Sequence, residues 1–223
     1  MRSKLFIISV LCMFATSINY AQEVATPTVE RGLHKGGELM QVEMHGGKPF
    51  MDVLREKQHM AHISERELEP HHLSGVLWVA NGTPQPGEMH NRTAFAPMDL
   101  QYVKIYVLMK EGLFEYQADM HKLEMLAPID FRRKISDDDQ FHRAPIAVVY
   151  VIDRKATSNV SNEDRKNYAY LQSGCISQNI LLYCSSEDMA SNIVFDIKKE
   201  ELAKKLKVEP GDILFGQAIG YGE

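Results

Sequence analysis

The chain has 223 residues, 44% of them hydrophobic and 25% charged, with a formal net charge of −5. That length suits one domain with a sizeable core, and the acidic balance argues against nucleic acid or an anionic membrane as partner. The first residues set the compartment. Arg2 and Lys4 precede an apolar run from Leu5 to Ala15 and a polar stretch ending in Asn19-Tyr20-Ala21, the pattern of a cleaved secretory signal. The run is shorter than the roughly 20 residues that span a bilayer, so no membrane segment is expected after cleavage. Cys12 follows Leu11 rather than the small residue expected before a lipidated cysteine. Removing residues 1–21 leaves 202 residues and a charge of −7, because Arg2 and Lys4 are the charges lost. The expected product is a protein exported to the periplasm or the medium.

Residues 22–48 hold Pro27, several glycines and no sustained periodicity, which predicts an extended arm or linker ahead of a domain at 49–223. A first helix is predicted from Pro49 to Met60, with Phe50, Val53 and Leu54 on one face. A second starts at Pro70, carries Leu73, Val76, Leu77 and Ala80 at helical spacing, and ends at Asn81-Gly82. Trp78 is expected to pack in the core. Pro84, Pro86, Gly87 and Pro97 make Thr83 to Met98 a loop. Val103, Ile105 and Val107 alternate with Tyr102, Lys104 and Tyr106, Glu111-Gly112 turns the chain, and Leu113 to Gln117 returns, which is a β-hairpin.

A short polar helix is predicted around Asp130 to Gln140, with Asp137-Asp138-Asp139 as negative charge at a helix N-terminus. Pro145 to Ile152 is a continuous apolar run of the kind a central strand shows. Ser161 and Asp164 form a capping box for a helix through Leu182. That helix is apolar nearly all round from Tyr168 to Cys184, which predicts burial, including at a subunit interface. Cys175 and Cys184 lie nine positions apart within it, about 13 Å along the axis, so they are read as core residues and not as a disulfide. The tail reads as a strand at Asn192 to Phe195, an exposed charged helix at Lys198 to Leu206, a turn at Pro210-Gly211-Asp212 and a last strand at Ile213 to Ile219. Helices and antiparallel pairs mix without strict alternation, so the class is α+β.

Five features carry a family resemblance. They are Leu77-Trp-Val-Ala-Asn-Gly82 leading through Arg92 to Leu100-Gln101, the hairpin with Glu111-Gly112 and Tyr116, the stretch from Asp130 to Arg143-Ala-Pro145, the Gln178-Asn179-Ile-Leu-Leu helix segment, and Gly216-Gln-Ala-Ile-Gly-Tyr221. In this order and spacing they resemble the nitroreductase-like flavoprotein superfamily, in particular the branch of SagB-type and thiazoline/oxazoline-oxidising dehydrogenases. The resemblance implies a central, mostly antiparallel sheet flanked by helices in an intertwined homodimer. It also implies FMN held non-covalently between two subunits, reduced by a nicotinamide donor and passing electrons to a small acceptor, the protein's part being placement and electronic tuning. Nicotinamide donors are scarce outside the cytoplasm, so an exported member needs another electron source.

On this resemblance the family's Arg-x-Ser-x-Arg phosphate motif falls on Lys57-Gln58-His59-Met60-Ala61, where Lys57 supplies the permanent charge, His59 a donor and Ala61 nothing. Lys57, Gln58 and His59 would face the phosphate and ribityl chain. The Pro-Ser-x-x-Asn-x-Gln motif falls on Phe95 to Gln101, placing Asp99 and Gln101 at the isoalloxazine ring. Gln101 keeps the family residue. Asp99 replaces an asparagine donor with a carboxylate, which when ionised only accepts; Arg92 is available to neutralise it. The family's glycines after the long helix are replaced over Glu187 to Ser191.

Two other readings follow from the residues. One is a ligand-binding or scaffold protein that keeps the fold without flavin chemistry. The other is a haem or copper binder, suggested by His45, His59, His90 and His121 each adjoining a methionine, although adjacent residues do not make a chelate. His59 and His62 are the one local pair at helical ligand spacing, and no metal site is assigned. Gly-x-Ser-x-Gly, HExxH, CxxC and phosphate-cradling glycine loops do not occur, leaving hydrolase, metalloprotease, thiol-redox and triphosphatase readings without support.

Overall fold

Strand alternation builds the molecule. The computed structural model describes residues 37–56, 62–84 and 91–223; the segment read as a signal sequence and residues Lys57, Gln58 and His59 lie outside them. Six strands, β1 (Val103–Met109), β2 (Gly112–Gln117), β3 (Lys122–Ala127), β4 (Ile146–Ile152), β5 (Met189–Val194) and β6 (Ile213–Tyr221), form one sheet in the order β3-β2-β1-β4-β6-β5. Every neighbouring pair is antiparallel. Because side chains alternate across a strand, Val103, Ile105, Val107 and Met109 of β1 share one face with Ile146, Val148, Tyr150 and Ile152 of β4. Tyr106, Leu108, Ala147, Val149 and Val151 line the other. With both faces covered, all seven residues of β4 are buried, hence the unbroken apolar run in its sequence.

The first face packs against α2 (Pro70–Asn81) and α5 (Asn162–Ser186). Ser161 caps α5 by accepting a hydrogen bond from the Asp164 amide, as the capping pattern predicts. The second face is covered by α3 (Arg132–Ile135), α4 (Asp139–Arg143) and α6 (Lys199–Leu206). This is the α+β arrangement expected from the mixed pattern. No helix among the described residues is long and apolar enough to cross a membrane.

Several local expectations need correction. α1 covers only Phe50–Arg55, since Glu56 turns to extended backbone (ψ 123°). Phe50 and Leu54 are 62% and 51% exposed, and Val53 alone of that stripe is buried. The single polar helix is two, α3 and α4, because Ser136 adopts extended backbone and Asp138 restarts the helix by accepting from the Phe141 amide. Trp78 is half-buried, its indole N–H donating to the Thr83 carbonyl at 3.1 Å. α5 is not apolar all round: Gln172, Ser173, Ser177 and Ser185 face inward while Tyr170 and Leu171 are exposed. Cys175 and Cys184 are free thiols, and burial pushes the Cys184 thiol up. α6 is charged but buries Leu202 and Ala203.

β3 was not predicted. Met125, on the same face as the buried Leu123, is 52% exposed, Glu124 is exposed on the other face, and a bulge between Leu113 and Phe114 shifts the pairing with β2. A strand with one covered face would alternate cleanly, but the exposed Met125 and the bulge in its pairing break the pattern at this edge. Residues 37–40 run across this edge as a strap, with the Leu123 amide donating to the Gly37 carbonyl at 2.7 Å and Glu38 bridging to Lys122.

Candidate functional site

Three glutamine and asparagine side chains meet where α2 ends and β1 begins. The Tyr102 and Val103 amides both donate to Gln172 Oε1 of α5, at 2.7 and 3.2 Å. Two backbone donors fix that amide's orientation, so Gln172 Nε2 points to Gln101 and donates to its Oε1 at 2.9 Å. Asn81 Nδ2, from the last residue of α2, donates to the same oxygen at 3.0 Å. Gln101 is therefore locked with its oxygen inward and its NH2 group outward. That NH2 makes no hydrogen bond among the described residues, and the neighbouring Asn81 Oδ1 is buried without a partner. The relay leaves one donor and one acceptor unused at the base of the 91–101 loop.

The rest of the loop is held less tightly. Thr93 Oγ1 donates to the Trp78 carbonyl, and Asn179 Nδ2 of α5 donates to both the Val79 and Thr93 carbonyls at 3.0 and 3.1 Å. Beyond them Phe95 and Met98 are exposed. Met98 and Asp99 are consecutive residues with positive φ, 55° and 56°, a conformation that costs a non-glycine residue about 1 kcal/mol or more. Asp99 sits at this strained tip with its side chain exposed. It is not paired with Arg92, contrary to the sequence expectation: Arg92 reaches back to Asp119 at 2.5 Å and to the Asn81 carbonyl. The structure thus joins Gln101 to the relay and leaves Asp99 apart from it. Lys57, Gln58 and His59 are outside the described residues.

The turn after α5, which replaces the family's glycines, carries charge. Lys48 Nζ binds Asp188 at 2.6 Å and Glu56 at 2.7 Å, and its backbone amide donates to Ser186 Oγ. Hydrogen bonds donated to the Asp188 and Glu56 carboxylates hold the Lys48 ammonium above its usual pKa. Nearby, His72 Nδ1 lies 2.8 Å from the Tyr221 hydroxyl, and burial, helped by the neighbouring His71, lowers the His72 pKa.

At the opposite end of β1, about 26 Å from Gln101 at 3.3 Å per residue, lies a cleft of about 330 Å³. The strap residues Leu39 and Met40, Leu73 of α2, Met109 of β1, and Pro145 and Ile146 at the start of β4 supply apolar lining. No residue assigned to a site from the sequence lines it. Beside it runs a second hydrogen-bonded chain: Tyr116 Oη to His121 Nδ1 at 2.9 Å, His121 Nε2 to Ser74 Oγ at 2.7 Å, and Ser74 Oγ donating to the Met40 carbonyl at 2.5 Å. His121 was singled out beside Met120 as a metal candidate. Among the described residues, no group of three or more His, Cys, Asp or Glu side chains is arranged to hold a metal ion.

Both hydrogen-bonded chains escaped the sequence reading. Asn81 registered only as a helix end, and Gln172 is a polar residue on an apolar-looking helix whose burial needed the packed structure. A glutamine or serine at an inward helical position was the available signal.

Comparison with known proteins supplies context for this geometry. The sequence model of the Nitroreductase family matches residues 64–221. Among solved structures, a candidate nitroreductase of Ralstonia eutropha superposes with a TM-score of 0.74 at 22% identity, covering 83% of this chain and 88% of its own. The E. coli microcin synthetase McbBCD complex with truncated pro-MccB17 bound matches with a TM-score of 0.66 at 14% identity, covering 96% and 85%. A candidate NAD(P)H:FMN oxidoreductase of Staphylococcus epidermidis matches with a TM-score of 0.54 at 12% identity, covering 82% and 91%. No curated protein matches.

Proposed function

The chain belongs to the nitroreductase family, and we propose that it is an exported, FMN-dependent oxidoreductase of the SagB-related branch, acting on a small acceptor. One observation carries this reading: the relay from Asn81 and Gln172 presents the Gln101 NH2 group as a fixed outward donor, at the position where the resemblance places the flavin ring. A donor preset in this way loses little orientational freedom on binding. The match is incomplete, because the exposed Asp99 carboxylate offers no donor unless protonated. FMN, when bound, supplies hydride and electron transfer. The protein's share is to orient the ring through Gln101 and to contact the phosphate and ribityl chain through Lys57, Gln58 and His59.

The active form is proposed to be a homodimer. Phe50, Met51 and Leu54 of α1 and Tyr170 and Leu171 of α5 are large apolar side chains left exposed in one subunit, and such surface is costly in water unless a partner covers it.

The test is an absorbance spectrum of the mature protein after incubation with FMN and gel filtration. Stoichiometric flavin absorbance in wild type, reduced at least fivefold in affinity by Gln101→Leu, supports the assignment; the factor corresponds to one lost hydrogen bond of about 1 kcal/mol. A colourless protein overturns it in favour of a second reading, a ligand-binding protein that keeps the fold. Two observations favour that alternative: Asp99 is exposed at the loop tip, apart from the Gln101 relay, and the Lys48-Glu56-Asp188 ion triad occupies a turn where the resemblance leads to an expectation of glycines.

A further inference from the structure

The strap at residues 37–40 contributes Glu38, Leu39 and Met40 to the wall of the 330 Å³ cleft, and Leu39 rests against the core beside α2. The strap is joined to β3 through the Leu123 amide and the Glu38–Lys122 bridge, and to α2 through the Ser74 hydroxyl bonded to the Met40 carbonyl. The direction of the second attachment is determined by counting protons. Ser74 has one hydroxyl hydrogen and gives it to Met40, so its oxygen must accept from His121 Nε2–H. The imidazole is then neutral with a bare Nδ1, which accepts from the Tyr116 hydroxyl. Every member is satisfied in this one arrangement.

We infer that the strap is an acid-released gate on the cleft, latched through Ser74 by neutral His121 and loosened when that imidazole takes up a proton. Protonation places N–H groups at both ring nitrogens. Nδ1–H then confronts the Tyr116 hydroxyl, which must turn its hydrogen away into a site where Tyr116 is 6% exposed. The imidazolium also becomes a charge in a largely buried position with no carboxylate against it. The charged groups on the surrounding elements are Asp119 with its partner Arg92, Lys122, and Glu38 of the strap. The other titratable groups of α2, His71 and His72, sit at its first turn, with His72 directed to Tyr221. None of these sets the ionisation of His121; burial lowers it, opposed by the Met40 carbonyl.

The sign follows from linkage. A histidine whose pKa is lower with the strap seated than with it open favours the seated form at high pH. That preference is lost progressively as pH falls below the open-state value of about 6.5. Opening the strap uncovers one wall of the cleft without disturbing the sheet, because β2 and β3 remain paired beneath it. This inference concerns the strap on the β3 edge and does not depend on flavin binding at Gln101.

Amide hydrogen exchange, corrected for the intrinsic pH dependence of exchange, tests it through the Leu123 amide, which is bonded to the Gly37 carbonyl. Protection of Leu123 is expected to fall by up to about tenfold between pH 7.5 and 5.5, while β4 amides such as Val148 keep theirs. His121→Gln, with a donor for Ser74, an acceptor for Tyr116 and no proton to gain, should abolish the fall. Ser74→Ala, which cuts the latch without touching the imidazole, should leave Leu123 weakly protected at both pH values. Constant wild-type protection, the same fall in His121→Gln, or strong protection in Ser74→Ala overturns the inference.

Discussion

Two hydrogen-bonded chains anchored on α2, one at the start of β1 and one at the β2–β3 edge, solve one problem with different chemistry. At the start of β1 a loop is tied to α2 and α5 by Asn81, Gln101 and Gln172, none of which titrates. At the β2–β3 edge a strap is tied to α2 by Ser74, His121 and Tyr116, and the middle member is an imidazole. Primary amides keep one donor and one acceptor pattern at every physiological pH, whereas an imidazole exchanges acceptor for donor near neutrality. The amide end is therefore a permanent fixture suited to presenting Gln101 in one orientation. The imidazole end is conditional, suited to a wall that moves.

The comparison breaks most visibly at Gln172. Its side chain is fully buried and accepts from two backbone amides while donating to Gln101. Gln172→Leu strands two buried N–H groups and frees Gln101 to rotate, which should cost about 3 kcal/mol or more in urea unfolding at about 1–3 kcal/mol per stranded group. The loss should be equal at pH 7.5 and 5.5. A loss that shrinks on acidification would mean a titrating group shares this end.

Gly37→Ala tests the strap end with a smaller, local effect. Gly37 has φ 76°, and a Cβ there would lie 1.9 Å from the Leu123 carbonyl oxygen, which is backbone and cannot yield. The strap should lift, costing about 1–2 kcal/mol locally. Leu123 should exchange as fast at pH 7.5 as wild type does at pH 5.5 or faster, and its pH dependence should vanish. Unfolding midpoints that drop as far as in Gln172→Leu would show that the strap is part of the core.

The same contrast explains what the sequence could reveal. β1 and β4 were legible because burial on both faces or strict alternation writes itself into residue type, and α2 was legible from Pro70, its apolar spacing and Asn81-Gly82. β3 was illegible because Met125 is exposed where alternation calls for burial, and the break at Ser136 because nothing in Asp130 to Gln140 excludes a continuous helix. At the candidate site, Gln101 could be aligned but not oriented: its direction depends on Gln172, 71 positions away. The sequence offers Arg92, which matches the arginine before the loop in the resemblance, as a partner for Asp99. The left-handed backbone at Met98 and Asp99 turns that carboxylate outward and leaves Arg92 to Asp119.

That reassigned ion pair gives the smallest prediction and a discriminating one. Arg92 is largely buried while Asp119 is half-exposed, with side-chain accessibilities of 8% and 52%, so solvent screens the pair from one side. Asp119→Asn should cost only about 0.5 kcal/mol, as expected of a half-exposed pair, with Arg92 still bonded to the Asn81 carbonyl. If the amide relay alone orients Gln101, this variant should bind FMN as wild type does, although it alters the same loop that Gln101→Leu alters. A loss of flavin affinity in Asp119→Asn equal to that in Gln101→Leu would move control of the loop from the buried amides to the ion pair. The start of β1 would then depend on charge, as the strap on the β3 edge does.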